Sequence, residues 1–331
     1  MAQGSHDPPD RSNPESNWAD VGIGALNGVL GDYLQSRSND LAVEMAVHHD
    51  NKPVPIDAEN LAKVYPGASR RVCVLVHGLC CTESTWTFPG TGESYGSLLQ
   101  RDFEMTPVFV RYNTGLHISE NGRSFCQLLD QLVASWPTEI EDLTLIGHSM
   151  GGLVIRSACL YADRLGQDWV DLVHHAVYVG SPHLGAPLEK FGNAAAAVFG
   201  KIPDPIARLA RDLINRRSIG IKDLRYANLV DEDWLGRDPD AVLQNTRTEV
   251  PLRTNIQHFV VAGTLTQNEN NIIAQMIGDA LVRVPSAMPG GGNDIGLPDD
   301  HVKLFPGLHH MSLAHHPDVY DQLETWLRAE G

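Results

Sequence analysis

The sequence predicts an α/β protein: a mostly parallel sheet with helices on both faces and a helical cap inserted over one end. Three observations carry this expectation. Short unbroken apolar runs, VCVLVHG (72–78), LTLIGHS (143–149) and VHHAVYVGS (173–181), have the character of strands buried on both faces. These runs alternate with helical stretches, which implies parallel strands joined by crossover helices. Finally, the stretch between Ser181 and His258 is far longer than a crossover needs, so it holds an insertion.

The elements follow in order. Residues 1–18 are polar and proline-rich and have too little apolar surface to offset their chain entropy, so a disordered tail is expected there. They contain no apolar core of a signal peptide. The first part of the core spans 19–183. It opens with helical spacing from Trp18 to Leu34, then alternates apolar and polar residues on both sides of Asp50-Asn51, as a β-hairpin does. Strand 72–78 follows, then PVFVRYN (107–113). The amphipathic stretch 119–136 is a helix with Ser119 and Asn121 available for capping. Strand 143–149 runs straight into helix 150–166, and strand 173–181 comes next. Residues 184–256 form the expected cap or lid, with helical character in NAAAAVFG, IPDPIARLARDLINRRS and DPDAVLQNTR. The core resumes over 257–331 with strands HFVVAG and HVKLFPG and a closing helix that starts at Pro317, a residue suited to a first turn.

Composition narrows the partners. A formal net charge of −16 argues against nucleic acid or an anionic membrane as a main partner. No apolar run is long enough to span a bilayer. The five cysteines are odd in number and irregularly spaced, which is no disulfide framework, and a reducing, cytoplasmic compartment is the expectation. Cys73 and Cys159 sit in apolar segments as small core residues, and Cys80 and Cys81 in a loop. Four His-His pairs occur, yet none has a metal-ligand spacing, so neither a catalytic metal nor an organic cofactor is expected.

The chemistry is concentrated in Gly147-His148-Ser149-Met150-Gly151, a G-x-S-x-G motif followed by Gly152. It lies between an apolar strand and a helix. A turn this tight strains its central residue, and the flanking glycines remove the side chains that would collide there. Ser149 is therefore the candidate nucleophile. The helix that starts at Met150 points its first N–H groups at the site, so the Met150 amide is one candidate oxyanion donor. The other is the Leu79 amide, in the His77-Gly78-Leu79 loop after strand 72–78. His77 is read as a brace of that loop. Among late residues, His301, His309, His310, His315 and His316 are candidate bases, and His309 and His310 fall between the last strand and last helix. Glu269, Asp279, Asp294, Asp299 and Asp300 are candidate acids. Asp279 stands out because apolar residues follow it and could anchor a buried loop.

HGL (77–79), GHSMGG (147–152), GSPHLGAP (180–187) and GDALVRVPSA (278–287) together resemble the bacterial lipase and esterase branch of the α/β-hydrolases. The resemblance covers most of residues 70–331. It implies the α/β-hydrolase fold and a Ser-His-Asp triad of Ser149, His310 and Asp279, with His310 favoured over His309 by family pattern. Ala280 departs from it, since glycine is commoner there. RSIGIKDLR (217–225) also looks like a family stretch. The implied activity is a carboxylic-ester hydrolase acting on a small-molecule ester with an apolar acyl group. Acyl transfer, or thioester or amide cleavage, would use the same triad, and a fold retained without chemistry is the remaining alternative.

Overall fold

The computed structural model describes residues 14–183, 185, 218–236, 248–264 and 297–329. Helix α1 spans Pro14–Ser36, beginning earlier than the expected Trp18, with a proline that has no N–H to leave unsatisfied in the first turn. The hairpin β1 (Ala46–His49) and β2 (Lys52–Val54) turns through Asp50 and Asn51, with φ of 49° and 61°. Two consecutive left-handed residues match the twist of paired strands, and Asp and Asn tolerate that conformation.

After α2 (Ala58–Val64) come β3 (Arg71–Val76), α3 (Tyr95–Phe103), β4 (Thr106–Arg111), α4 (Ile118–Ser135), β5 (Asp142–His148) and α5 (Met150–Leu165). Then follow β6 (Val173–Val179), α6 (Ile219–Tyr226), β7 (Gln257–Thr264), β8 (Val302–Pro306) and α7 (Pro317–Arg328). The eight strands form one sheet in the order β2-β1-β4-β3-β5-β6-β7-β8. Pairing is parallel from β4 through β8, and β1 runs antiparallel to both of its neighbours.

The side-chain alternation of strands distributes the apolar runs between two cores. Val72, Val74, Val76, Leu143, Leu145 and Tyr178 pack on one face with α1, α4 and α5. Cys73, Leu75, Ile146, Val177 and Val179 pack on the other with Leu99 of α3 and Val319 and Leu323 of α7. Strand β5 is buried along its whole length, so the residue that follows it leaves the centre of the sheet. Each Leu, Ile or Val fully buried in this way stabilises the fold by about 1.5–3 kcal/mol.

Helix α4 is capped differently from the expectation. Its N-cap is His117, whose N–H donates to the Glu120 carboxylate at 3.2 Å. Ser119 Oγ donates to Asp231 at 2.6 Å, and Asn121 Nδ2 donates to Asn113 O at 2.9 Å. Both side chains serve tertiary partners, which local spacing cannot reveal.

The family-like stretch RSIGIKDLR gains a structural account. Ser218 Oγ donates to Gly28 O of α1 at 2.7 Å, and Asp223 accepts from His117 Nδ1 at 2.9 Å and from Ile118 N at 3.0 Å. Ile221, Leu224 and Val230 join the core on the α4 and α5 side. The three helical stretches expected elsewhere in the insertion, and the tail 1–13, lie outside the described residues.

Candidate active site

Ser149 occupies the turn between β5 and α5 with φ 53° and ψ −120°. A non-glycine residue in such a region costs on the order of 1–3 kcal/mol and persists only where its surroundings hold it. Here the Ser149 N–H donates to Val179 O at 2.8 Å and the Gly152 N–H to Ser149 O at 3.2 Å. The glycines let backbone approach backbone: a Cβ on Gly151 would stand 2.7 Å from His77 O. Ser149 is buried, and α5 begins at the next residue, so the Met150 and Gly151 amides are without intrahelical acceptors.

The loop after β3 closes over this turn. A Cβ on Gly78 would meet the Ser149 Cβ at 2.9 Å, which places the Gly78-Leu79 peptide against the serine. His77 Nδ1 donates to Gly78 O at 2.9 Å, and the Cys81 N–H donates to the same oxygen at 3.2 Å. In a planar trans peptide C=O and N–H point in opposite directions, so two donors on Gly78 O also fix the direction of the Leu79 N–H. Among the described residues that N–H has no acceptor. His77 is itself held by the Tyr112 N–H on its Nε2 at 3.4 Å and by stacking on the Tyr112 ring at 4.6 Å. Burial lowers its pKa to about 4, so it stands neutral as a brace. Met150, at the head of α5, is fully buried.

His310 opens the 3-10 turn His310–His315 between β8 and α7. A Cβ on Gly180 would meet its Nδ1 at 3.0 Å and its Cε1 at 3.1 Å. Gly180 directly follows Val179, the residue bonded to the Ser149 amide, so Ser149 and His310 flank the same strand ends. His309 is exposed, while His310 is half-buried. The other candidate bases have partners of their own. His301 precedes β8, at the sheet edge opposite Ser149, with its Nδ1 donating to His258 O at 3.0 Å. His315 Nδ1 donates to Thr85 O at 3.1 Å, and His316 caps α7. Asp299 and Asp300 also precede β8 and share that remote edge. Asp279, with Glu269 and Asp294, lies outside the described residues.

His148, the variable position of the motif, is a further part of this site. It is fully buried, its Nε2 donates to His310 O at 3.2 Å, and its ring lies 4.9 Å from the His310 ring and 6.3 Å from Trp86. Burial, and then the proximity of His310, holds its pKa well below the ordinary value. A neutral His148 can fix the His310 backbone without adding a positive charge beside it. Only its place before the serine could have flagged it.

All five cysteines are buried thiols. Burial raises Cys81 and Cys159 to about 12 and Cys126 to about 11, so none is a ready thiolate. Among the described residues no group of three His, Cys, Asp or Glu side chains could hold a metal ion, and no helix is long and apolar enough to cross a membrane.

The profile of the Alpha/beta hydrolase family matches residues 73–323. The chain belongs to the α/β-hydrolase family. Solved structures similar to it include the mature lipase BlEst2 of Bacillus licheniformis, at 14% identity over 78% of this chain and 91% of that one, with a TM-score of 0.42. A NocB thioesterase domain, in covalent complex with a fluorophosphonate nocardicin G analogue, is 16% identical over 80% and 97%, with a TM-score of 0.44. The 2-hydroxy-6-oxo-6-phenylhexa-2,4-dienoate hydrolase of Rhodococcus sp. strain RHA1 is 12% identical over 79% and 91%, at 0.39. A search of curated proteins finds no match.

Proposed function

We propose that the protein is a carboxylic-ester hydrolase that works through an acyl-enzyme on Ser149. The observation that carries this reading is the strained backbone of Ser149, at φ 53°, with the Gly78 backbone packed against its side chain. In this reading Ser149 Oγ attacks the ester carbonyl while His310 takes its proton. The carbonyl oxygen becomes an oxyanion that accepts from the Leu79 and Met150 amides. His310 then protonates the departing alcohol, and water, deprotonated by His310, releases the acid. Asp279 fixes the imidazole tautomer and stabilises the imidazolium. The substrate is a small-molecule ester with an apolar acyl group, and residues 184–256 act as a lid that sets acyl-chain preference. Acyl transfer, or thioester or amide cleavage, shares every step up to the acyl-enzyme, and added alcohol, thiol or amine acceptors would divert product accordingly.

The test is Ser149→Ala. The variant should fold normally, lose labelling by a fluorophosphonate probe, and lose about 10⁶ in kcat on p-nitrophenyl esters. Turnover near the wild-type rate in the purified variant would end the proposal.

A further inference from the structure

Helix α1 lies outside the stretch that matches the family profile, residues 73–323, yet it packs on the segment that follows Leu79. Three sets of contacts make the connection. Arg111, at the end of β4, donates to Glu83 through Nε at 2.7 Å and Nη2 at 2.5 Å, and its Nη1 reaches Asp20 of α1 at 2.8 Å. Burial by itself would raise the Glu83 carboxyl; the Arg111 guanidinium outweighs burial and holds it below the usual range. Gly24 and Gly28 let the helix backbone lie directly on the loop. A Cβ on Gly24 would meet Thr82 Cγ2 at 2.8 Å, and one on Gly28 would stand 2.9 Å from both N and Cα of Cys80. Further along the helix, Asn113 Nδ2 donates to Gly31 O at 3.0 Å, and the neighbouring Thr114 Oγ1 accepts the Cys80 N–H at 3.2 Å.

The contacts of Arg111, Thr114, Gly24 and Gly28 bear on residues 80–83 directly, and Asp20 and Gly31 tie the helix to Arg111 and Asn113 beside them. Cys80 has φ 60°, a conformation that a cysteine holds only when its neighbours over-determine it. The next residue, Cys81, donates its N–H to Gly78 O at 3.2 Å, so the placement of Cys80 is passed to the Gly78-Leu79 peptide and to the Leu79 amide it carries.

We propose that α1 is a positioning element of the active site: through Asp20, Arg111 and Glu83, and through backbone contact at Gly24 and Gly28, it sets the direction of the Leu79 N–H. The inference rests on the ester-hydrolase reading of Ser149 and adds a part of the catalytic apparatus drawn from outside the family-matched region. Removing an oxyanion donor costs about 10²–10³ in kcat, and a misaimed donor loses a fraction of that. Substrate binding in the ground state depends little on this amide, so the effect belongs in kcat.

The experiment uses the full chain as wild type, Gly28→Ala, Asp20→Ala and the pair Gly28→Ala with Cys80→Gly. Titration with a fluorophosphonate counts reactive sites. Per reactive site, kcat and KM are measured on p-nitrophenyl butyrate, with the inhibition constant of an aryl trifluoromethyl ketone, which forms a tetrahedral oxyanion adduct. The expected result is a kcat lowered about tenfold in Gly28→Ala and about threefold in Asp20→Ala, KM within about twofold, and ketone binding weakened in parallel with kcat. Cys80→Gly removes the Sγ that the new Cβ also meets and lets the backbone at φ 60° move away from the helix without strain, so the pair should recover part of the loss. If Gly28→Ala fails to fold, Asp20→Ala carries the test. Unchanged kcat and ketone binding per reactive site, or a loss confined to KM, would overturn the proposal. A wild type that does not react with the fluorophosphonate would overturn the hydrolase reading, and this inference with it.

Discussion

Replacing His77 with phenylalanine separates what its ring packs from what its nitrogens bond. The ring stacked on Tyr112 at 4.6 Å is kept. Lost are the Nδ1–H donated to Gly78 O at 2.9 Å and the Nε2 that accepts the Tyr112 N–H at 3.4 Å. Gly78 O retains the Cys81 N–H, but the buried Tyr112 N–H loses its acceptor. An unsatisfied buried donor costs about 1–3 kcal/mol, so the variant should be less stable than wild type by about 2 kcal/mol at pH 7.5. The gap should depend on pH. Folded His77 has a pKa of about 4, lowered by burial from 6.5. Between those values the unfolded chain binds more protons, so this contribution to wild-type stability is complete above pH 6.5 and is lost as pH falls toward 4. At pH 5, 1.5 units below the unfolded value (6.5 − 5), the wild type has lost about 2 kcal/mol that the variant never had to lose. Other histidines titrate alike in both proteins and cancel. Urea denaturation of the pair at pH 7.5 and pH 5.0 should therefore show the gap closing. A gap that stays constant would refute the claim that the folded chain holds His77 neutral, and equal stability at pH 7.5 would refute the bonding argument.

Other substitutions probe other parts. His310→Ala should be nearly as damaging to ester turnover as Ser149→Ala, while His309→Ala, at an exposed position, should stay within a few-fold of wild type; the reverse ranking would move the base to His309. Gly151→Ala would bring a Cβ within 2.9 Å of the Val76 carbonyl carbon and 2.7 Å of His77 O, so it should cost about 1–3 kcal/mol in a denaturation midpoint comparison. A midpoint unchanged from wild type would mean that α5 can move off β3 freely. Exchanging apolar residues of 184–217 for polar ones should change the kcat/KM ratio of long to short acyl esters several-fold, since a methylene contact is worth roughly 1–3 kcal/mol. A flat ratio across folded variants would remove the lid from substrate choice.

Much of this architecture is legible along the chain because the sheet is buried on both sides. Runs such as VCVLV and LTLI need no tertiary information to stand out, and the Asp50-Asn51 turn announces itself through residues that tolerate positive φ. Helices α2 and α3 are weakly marked in the sequence for a physical reason. Helix α2 has seven residues and buries only Leu61. Helix α3 carries Gly96 in its first turn and is capped by Ser94 and Ser97, each bonded to the other's backbone, a signal easily taken for a polar loop. At the candidate site, Ser149 and the 77–79 loop could be found from local pattern, since both lie at strand ends. Position along the chain leaves His309 and His310 both open and the resemblance favours His310; the fold adds the approach of His310 to Gly180 and the exposure of His309. His148 and Arg111 stayed hidden because their roles consist of contacts with residues distant in sequence.

Two strained positions, Ser149 and Cys80, follow the two central strands, and their placement follows from what strain requires. Ser38, Asp50, Asn51, Glu104 and Ala227 also have positive φ, but they lie in turns or at helix ends, where the conformation terminates an element. Ser149 and Cys80 terminate nothing of that kind. Ser149 stands between a strand and a helix, and Cys80 in the loop that covers it. Each conformation costs on the order of 1–3 kcal/mol, which the surrounding structure must offset. Strands β3 and β5 are hydrogen-bonded neighbours, paired from Arg71–Asp142 to Val76–Gly147, and they are the most enclosed in the sheet. Their ends can hold an unfavourable backbone because neither strand can shift without opening two apolar cores at once. An edge strand such as β8, half-exposed along its length, could not. The loop that carries His310 leaves that edge, and its residues there are unstrained. In the proposed mechanism this division is functional: the groups that must not move sit on the rigid centre, and the group that must shuttle a proton sits on the more yielding edge.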